Sequence, residues 1–102
     1  MGLKLFDQYT YLHFASGIIA YYLGLPMLWW FIAHTVFEIT ENMKIGIHII
    51  NNYLKFWPGG KPHPDAFINI IGDTIGTLMG WLSAYGVDKM GNYYNLYQLH
   101  IK

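Results

Sequence analysis

The feature that most constrains this chain is a long stretch without any charged side chain. Thirty residues, from Gln8 to Phe37, contain no aspartate, glutamate, lysine or arginine. Such a run is too long and too apolar for one core helix of a small globular protein, and it is typical of membrane-spanning segments. A Leu-Gly-Leu-Pro segment at 23–26 interrupts it with residues that commonly end one helix and begin the next. The stretch therefore predicts a hairpin of two helices, over residues 5–23 and 26–42.

Three further segments complete the predicted fold. Polar residues recur about every fourth position over 43–57, which predicts an amphipathic helix that extends the second span along the membrane surface. Residues 65–85 form a third apolar run, long enough to cross roughly 30 Å of hydrocarbon at 1.5 Å per residue. The tyrosine-rich tail over 88–102 is also predicted to lie at the membrane surface. The predicted fold class is an all-α membrane protein, one transmembrane domain over 1–102 with three transmembrane helices.

The balance and placement of the charges narrow the function and suggest an orientation. Six lysines and six acids give a net charge of zero, which argues against a nucleic-acid partner because phosphates require a basic surface. Cysteine is absent, so neither a disulfide framework nor a thiolate metal site is available. Lys4, Lys44, Lys55 and Lys61 fall on one side of the predicted spans. Lys89 and Lys102 fall on the other side, and this four-to-two excess predicts a cytoplasmic N-terminus. The predicted localisation is multi-pass in a bacterial inner membrane or in a virus or host membrane.

Polar side chains inside the predicted spans are the candidates for function. Seven of them stand out: His13, His34, Glu38, Glu41, Asn42, Asn69 and Asp73. Because successive helical residues rotate by about 100°, His34, Glu38 and Glu41 share one helix face. Counting the helical rise from each predicted helix end places His13, Glu38 and Asp73 at one depth. An ionised side chain at that depth costs on the order of 3 kcal/mol, so it usually faces a partner or a cavity.

This predicted cluster of carboxylates and imidazoles leaves negative charge without a basic partner. Either burial and mutual repulsion keep some carboxyls protonated, or a divalent cation binds among them. His13, Glu38 and Asp73 are the predicted metal ligands and the candidates for catalysis. The predicted ligand-binding residues are His34, Glu41, Asn42 and Asn69. Two alternatives remain open: a buried hydrogen-bond network that holds the helices together, and a solvated cluster near the headgroups.

A stripe of small residues along the third predicted span bears on possible partners. Gly72, Gly76 and Gly80 recur every fourth residue, a spacing that lets membrane helices approach closely, and they predict a homo-oligomer. Three functions follow as hypotheses. The first is a membrane protein that binds a divalent cation and a lipid or lipid-linked headgroup, with or without enzymatic activity. The second is a homo-oligomeric ion or proton channel or transporter, and the third is a structural subunit without chemistry of its own.

Three segments of the sequence resemble a known family. They are FEITEN at 37–42, PDAFINIIGDT at 64–74, and the spacing of Asp, His-Phe and Gly over 7–17. Together they resemble the VanZ-like membrane proteins, in particular a branch of small bacterial inner-membrane proteins. The family's usual arginine after the Glu-Asn helix is missing, and Asn51 and Asn52 lie near that place. The resemblance implies a membrane fold and a polar cluster shared with the family, without implying a particular reaction.

Overall fold

The computed structural model describes residues 2–58 and 60–98, and the chain is helical over most of that part. The helices are α1 (Gln8–Tyr22), α2 (Met27–Glu41), α3 (Lys44–Asn52) and α4 (Phe67–Tyr93). The all-helical architecture agrees with the periodicity of the sequence. The arrangement of these helices and their lengths differ from the predicted membrane bundle.

The α1–α2 hairpin has clear start and stop signals. The Asp7 carboxylate accepts hydrogen bonds from the backbone N–H groups of Tyr9 and Thr10, and the Thr10 hydroxyl accepts one from the Asp7 N–H. This reciprocal capping box satisfies N–H groups that the first turn of a helix leaves free. After α1, Gly24 adopts a φ of 85°, a left-handed conformation that glycine accommodates at little cost, and Pro26 precedes α2. The hairpin turn therefore lies within the predicted 23–26 segment.

The second predicted helix is broken in two after residue 41. The Asn42 side chain donates a hydrogen bond to the Glu38 carbonyl at 2.8 Å, and Met43 is extended, with a ψ of 152°. Such side-chain bonds to the preceding turn compete with continuation of the helix. α3 then packs closely on the end of α2, since a Cβ on Gly46 would lie 1.9 Å from the Thr40 carbonyl oxygen. The amphipathic helix is thus a separate element, shorter than the predicted 43–57.

α1 and α4 run parallel and approach at backbone distance. A Cβ added to Gly80 would lie 1.9 Å from the Phe14 carbonyl oxygen, and one added to Gly17 would lie 1.9 Å from the Thr77 carbonyl oxygen. Real Cβ atoms essentially never come closer than 3.0 Å to such atoms. The contact therefore requires glycine from both helices.

The glycine stripe proposed for oligomerisation is used within the chain. A Cβ on Gly72 would lie 1.6 Å from the carbonyl oxygen of Leu5, which comes just before α1. Gly76 and Gly80 face successive turns of α1 itself. This face is covered by α1 rather than open to a second copy. The homo-oligomer stays a prediction, and its interface would have to lie on another surface.

The interior between the helices is built mainly from small and polar residues. In the described part of the chain, the buried hydrophobic residues are Ala20 and Ala84. The largest fully buried side chains are Glu38, Asn69, Asp73, Thr77 and Asp88. Large apolar side chains such as Leu28, Trp29 and Val36 lie on the outer faces. Close backbone packing and internal hydrogen bonds therefore replace a conventional apolar core, and they place the polar cluster at the centre.

The helices do not have the properties predicted for membrane spans. Over residues 2–58 and 60–98, no helix is both long enough and apolar enough to cross a bilayer. α1 and α2 have 15 residues each, or roughly 22 Å at 1.5 Å per residue, against a hydrocarbon thickness of about 30 Å. α4 has 27 residues, but Asn69, Asp73 and Asp88 interrupt its apolar character. The prediction of three transmembrane helices is wrong, and so is the multi-pass localisation. The predicted orientation, with a cytoplasmic N-terminus, loses its basis with the spans.

The end of α4 also differs from the prediction. The helix continues to Tyr93, past the predicted end at residue 85. Asp88 is buried within it and accepts a hydrogen bond from the Tyr21 hydroxyl on α1, so the tail begins later than predicted. Tyr94 and Tyr97 of that tail are exposed. The last part of the predicted tail, residues 99–102, lies outside the described residues.

Candidate metal centre

Three side-chain donor atoms from two helices converge on one point. His13 lies on α1, while His34 and Glu38 lie one turn apart on α2. His13 Nδ1 and His34 Nε2 share a hydrogen bond of 2.7 Å, and each of these nitrogens is 3.5 Å from Glu38 Oε1. A triangle with these sides has its centre about 2 Å from every corner, which is the length of a zinc–nitrogen or zinc–oxygen bond. The three residues form a group that can hold a metal ion.

Two atoms of this group have no hydrogen-bond partner in the described part of the chain. Glu38 and His34 are only 1% and 2% exposed. Among the described residues, neither Glu38 Oε1 nor His34 Nδ1 has a hydrogen-bond partner, whereas Glu38 Oε2 accepts one from the Asn42 amide at 3.3 Å. Leaving a buried polar atom unsatisfied costs about 1–3 kcal/mol. An unbonded carboxylate oxygen that faces two imidazole nitrogens is the arrangement expected of a cation site.

Asp73 lies behind His13 rather than among the converging atoms. Its Oδ2 is 3.3 Å from His13 Nε2, and its Oδ1 accepts a hydrogen bond of 2.7 Å from the Thr10 hydroxyl. A carboxylate that holds one imidazole N–H fixes the tautomer and presents the lone pair of the other nitrogen to a metal. The structure therefore gives Asp73, predicted as a metal ligand, the position of a residue that orients His13.

Lys61 is the important residue that sequence reasoning missed. Lys61 enters the sequence-based predictions only through the excess of lysines on one side of the spans, and the carboxylates are predicted to have no basic partner. In the structure Lys61 Nζ is 2.7 Å from Glu41 Oε1, 2.7 Å from Asp65 Oδ2 and 3.3 Å from Asn42 Oδ1. The Lys61 side chain is 5% exposed. Glu38, Glu41 and Asp65 form a second group that can hold a metal ion, but the ammonium already neutralises part of that group.

Asn69, a predicted ligand-binding residue, makes contacts of a different kind. Its amide donates a hydrogen bond of 2.8 Å to the Lys4 carbonyl and one of 3.3 Å to Asp7 Oδ2. These bonds tie the segment before α1 onto α4. Asn69 thus holds the residue that caps α1, and so supports the helix that carries His13.

A cavity of about 450 Å³ opens beside the converging atoms. His13 and His34 are among its lining residues, and Glu38 is not, so the carboxylate lies behind the imidazoles. The apolar part of the wall includes Leu12, Ile19, Trp30, Phe37 and Trp57. The size falls within the range of about 300–1,000 Å³ for small-molecule sites. An ion between the three donors would thus be reached from a largely apolar pocket.

Burial controls the protonation of the cluster. Burial raises the pKa of Glu38 to about 8, and the nearby carboxylates Glu41 and Asp73 add to the effect. Burial also raises the pKa of Asp73 to about 6 against the opposing hydrogen bond from Thr10. Burial lowers the pKa of His34 to about 4, with a smaller contribution from His13. At neutral pH and without a cation, Glu38 is therefore protonated and His34 is neutral, so a cation would displace the Glu38 proton.

Comparison with known proteins adds no assignment. No protein family, curated protein or solved structure matches the chain. The resemblance of segments 37–42 and 64–74 to VanZ-like proteins stays a prediction, and the role of the cluster must be inferred from its geometry.

The protonation of Glu38 makes stability depend on pH. Because the pKa of Glu38 is about 8 in the folded chain and near its ordinary value of 4.5 in the unfolded chain, the folded state binds the proton more tightly between these values. The stability from this proton is complete below pH 4.5 and is lost as pH rises through 8. His34 has the opposite effect, because its lowered pKa makes stability rise with pH. This rise is complete above the ordinary histidine pKa of 6.5. With a chelator present, we expect the free energy of unfolding to fall by about 1.5 kcal/mol from pH 6.5 to 8.

Urea denaturation at several pH values, followed by circular dichroism, measures this slope. Glu38→Gln has no ionisable group at this position, so it should be nearly flat over the same range. A slope that persists in Glu38→Gln would assign the effect to another group.

Proposed function

We propose that the protein binds one divalent transition-metal ion, with Zn²⁺ the best candidate, between His13, His34 and Glu38. The observation that carries the proposal is the convergence of the three donor atoms, one of them a buried carboxylate oxygen without a hydrogen-bond partner. Two imidazole nitrogens and one carboxylate oxygen suit zinc, iron or manganese, whereas magnesium and calcium favour oxygen ligands alone. Asp73 would orient His13 in this site.

The position of the pocket supports an open metal site. Zinc is usually four-coordinate, and three protein ligands leave one position for water or another ligand, as in catalytic zinc sites. His13 and His34 line the pocket and Glu38 lies behind them, so the fourth position would face the pocket. A water molecule or a ligand oxygen bound there would be polarised by the ion.

The alternative group of Glu38, Glu41 and Asp65 is less suited to a metal. Lys61 Nζ is already 2.7 Å from the carboxylates of Glu41 and Asp65, so a metal ion would have to displace a buried ammonium. Glu38 Oε1 has no comparable cation in contact among the described residues. The site with the two imidazoles is therefore the one we assign.

Titration of the chelator-treated protein with Zn²⁺ tests the proposal. We expect saturation at one ion per chain by calorimetry. His34→Ala or Glu38→Gln should weaken binding more than about 100-fold, and Asp73→Asn should weaken it by about 10–100-fold, as second-shell changes do. His48→Ala is the matched control, because His48 is an exposed helical histidine outside the group and its replacement should leave the affinity unchanged.

The titration also distinguishes a metal site from a purely structural network. If the folded protein binds no Zn²⁺, or if His48→Ala weakens binding as much as His34→Ala, the proposal is wrong. In the first case the buried cluster would serve as hydrogen bonds between the helices. Release of the Glu38 proton provides an independent readout, since the heat of binding at pH 7 should then vary with the ionisation enthalpy of the buffer.

A further inference from the structure

We propose that the pocket beside the cation site binds a neutral carbonyl compound with an apolar body, whose carbonyl oxygen takes the open position on the ion. This inference rests on the proposed function and adds the class of ligand. It follows from the walls of the pocket, from the charges that line it, and from the position of the two imidazoles.

The walls favour an apolar body. Leu12 and Ile19 come from α1, Trp30 and Phe37 from α2, and Trp57 from the segment after α3, so apolar side chains surround the pocket on several sides. The Trp30 Nε1–H donates a hydrogen bond of 2.9 Å to the Thr77 hydroxyl, which holds the ring in place. An aliphatic or aromatic chain that leaves water to fill this cavity of about 450 Å³ would be stabilised in proportion to the apolar area it buries.

The charges disfavour an anionic ligand. The carboxylates that line the pocket are Asp7, Glu41, Asp65 and Asp73. Lys61 is the lysine that lines it, and its ammonium is already bonded to Glu41 and Asp65. Even with the divalent ion in place, a fatty acid or phosphate would meet these four carboxylates and Glu38 against the ion and one ammonium, which is more negative than positive charge. A cationic ligand would instead be repelled by the ion itself. A neutral ligand is therefore compatible with both the carboxylates of the pocket and the bound ion.

The open position selects an oxygen donor at one end of that ligand. The imidazoles of His13 and His34 line the pocket, and a divalent ion between them would act as a Lewis acid that favours a polarisable carbonyl oxygen. The nearby Ser16 hydroxyl already donates to the His13 carbonyl at 2.6 Å, so it is committed to α1 rather than to a ligand. The ion is thus the polar anchor, and the apolar walls hold the remainder of the molecule.

Binding of decanamide to the Co²⁺-loaded protein tests this inference. We expect decanamide to shift the visible absorption bands of Co²⁺ and to change the fluorescence of Trp30 and Trp57. Acetamide lacks the apolar body and decanoate carries a negative charge, so each should bind at least about tenfold more weakly. Tighter binding of decanoate than of decanamide overturns the proposal, as does a fluorescence change without a shift of the Co²⁺ bands.

A pair of variants on α2 locates the ligand in the pocket. Ala33 lines the pocket, so Ala33→Phe should fill it and weaken decanamide binding more than about tenfold while Co²⁺ affinity is retained. Val36 is exposed on the same helix and does not line the pocket, so Val36→Phe is the control. Equal effects of the two variants overturn the proposal. Absence of Co²⁺ bands before ligand is added overturns the metal site as well, whereas normal bands without a response to decanamide overturn the ligand alone.

Discussion

Replacement of Gly80 by alanine is expected to lower the free energy of unfolding by about 3 kcal/mol or more, at the upper end of overpacking effects. The new Cβ would lie 1.9 Å from the Phe14 carbonyl oxygen and 2.8 Å from its carbon. These are backbone atoms, so no rotation of a flexible side chain relieves the contact, and α1 and α4 have to separate. Since small domains have a total stability of about 5–15 kcal/mol, the loss should be evident in urea denaturation followed by circular dichroism.

Gly86→Ala is the matched control on the same helix. A Cβ at Gly86 would meet nothing within 4 Å. Alanine is a better helix former than glycine, and the change should raise stability by about 0.5–1 kcal/mol. If Gly80→Ala and Gly86→Ala had the same sign and size, the close contact between α1 and α4 would not exist in solution.

The same substitution should also weaken metal binding. Phe14, which Gly80 contacts, directly follows His13 on α1. Separation of α1 from α4 would increase the 3.3 Å distance from His13 Nε2 to Asp73 Oδ2 and remove the group that orients the imidazole. Gly80→Ala is therefore expected to lose both stability and Zn²⁺ affinity. Gly86→Ala is expected to lose neither.

Local signals in the sequence predict the elements that carry the site. The Leu-Gly-Leu-Pro segment marks the turn between α1 and α2, because glycine there adopts a positive φ and proline can precede a helix. Helical periodicity places His34 and Glu38 one turn apart on one face, and the structure brings both to His13. These relations depend on neighbours in sequence, which is why they can be read without the fold.

Contacts that depend on the path of the chain could not be predicted in this way. Lys61 reaches Glu41 only because the segment after α3 folds back over the end of α2, where Asn51 bonds to the backbone of Lys61 at 2.6 and 2.9 Å. Asp88 is buried because α4 continues beside α1 as far as Tyr21. Neither return path leaves a periodic or motif signal in the sequence.

The membrane prediction was wrong because the two helices predicted over 5–23 and 26–42 are shorter in the structure. The run from Gln8 to Phe37 is divided between two helices of 15 residues, neither of which is long enough to be a span. Glycine adds no charge to α4 while it serves close packing, and buried Asn69 and Asp73 replace apolar residues at the interface. Composition alone does not distinguish these roles.

Lys61→Met is expected to destabilise the protein by about 3–5 kcal/mol, the range found when one partner of a buried ion pair is removed. Methionine retains much of the aliphatic volume but none of the charge. It would leave Glu41 and Asp65 facing each other without the ammonium that now lies 2.7 Å from each of their oxygens. Their side chains are 9% and 7% exposed, so water can screen little of the repulsion.

Neutralising the two carboxylates should reverse most of this loss. The triple variant Lys61→Met, Glu41→Gln, Asp65→Asn removes the uncompensated charges, and we expect it to recover at least half of the lost free energy of unfolding. Lys55→Met is the control, because Lys55 lies in the same segment with no ion pair among the described residues, and it should change stability by less than about 0.5 kcal/mol. If the triple variant were as unstable as Lys61→Met, uncompensated charge on Glu41 and Asp65 would not be the cause of the loss, because the triple variant carries no such charge.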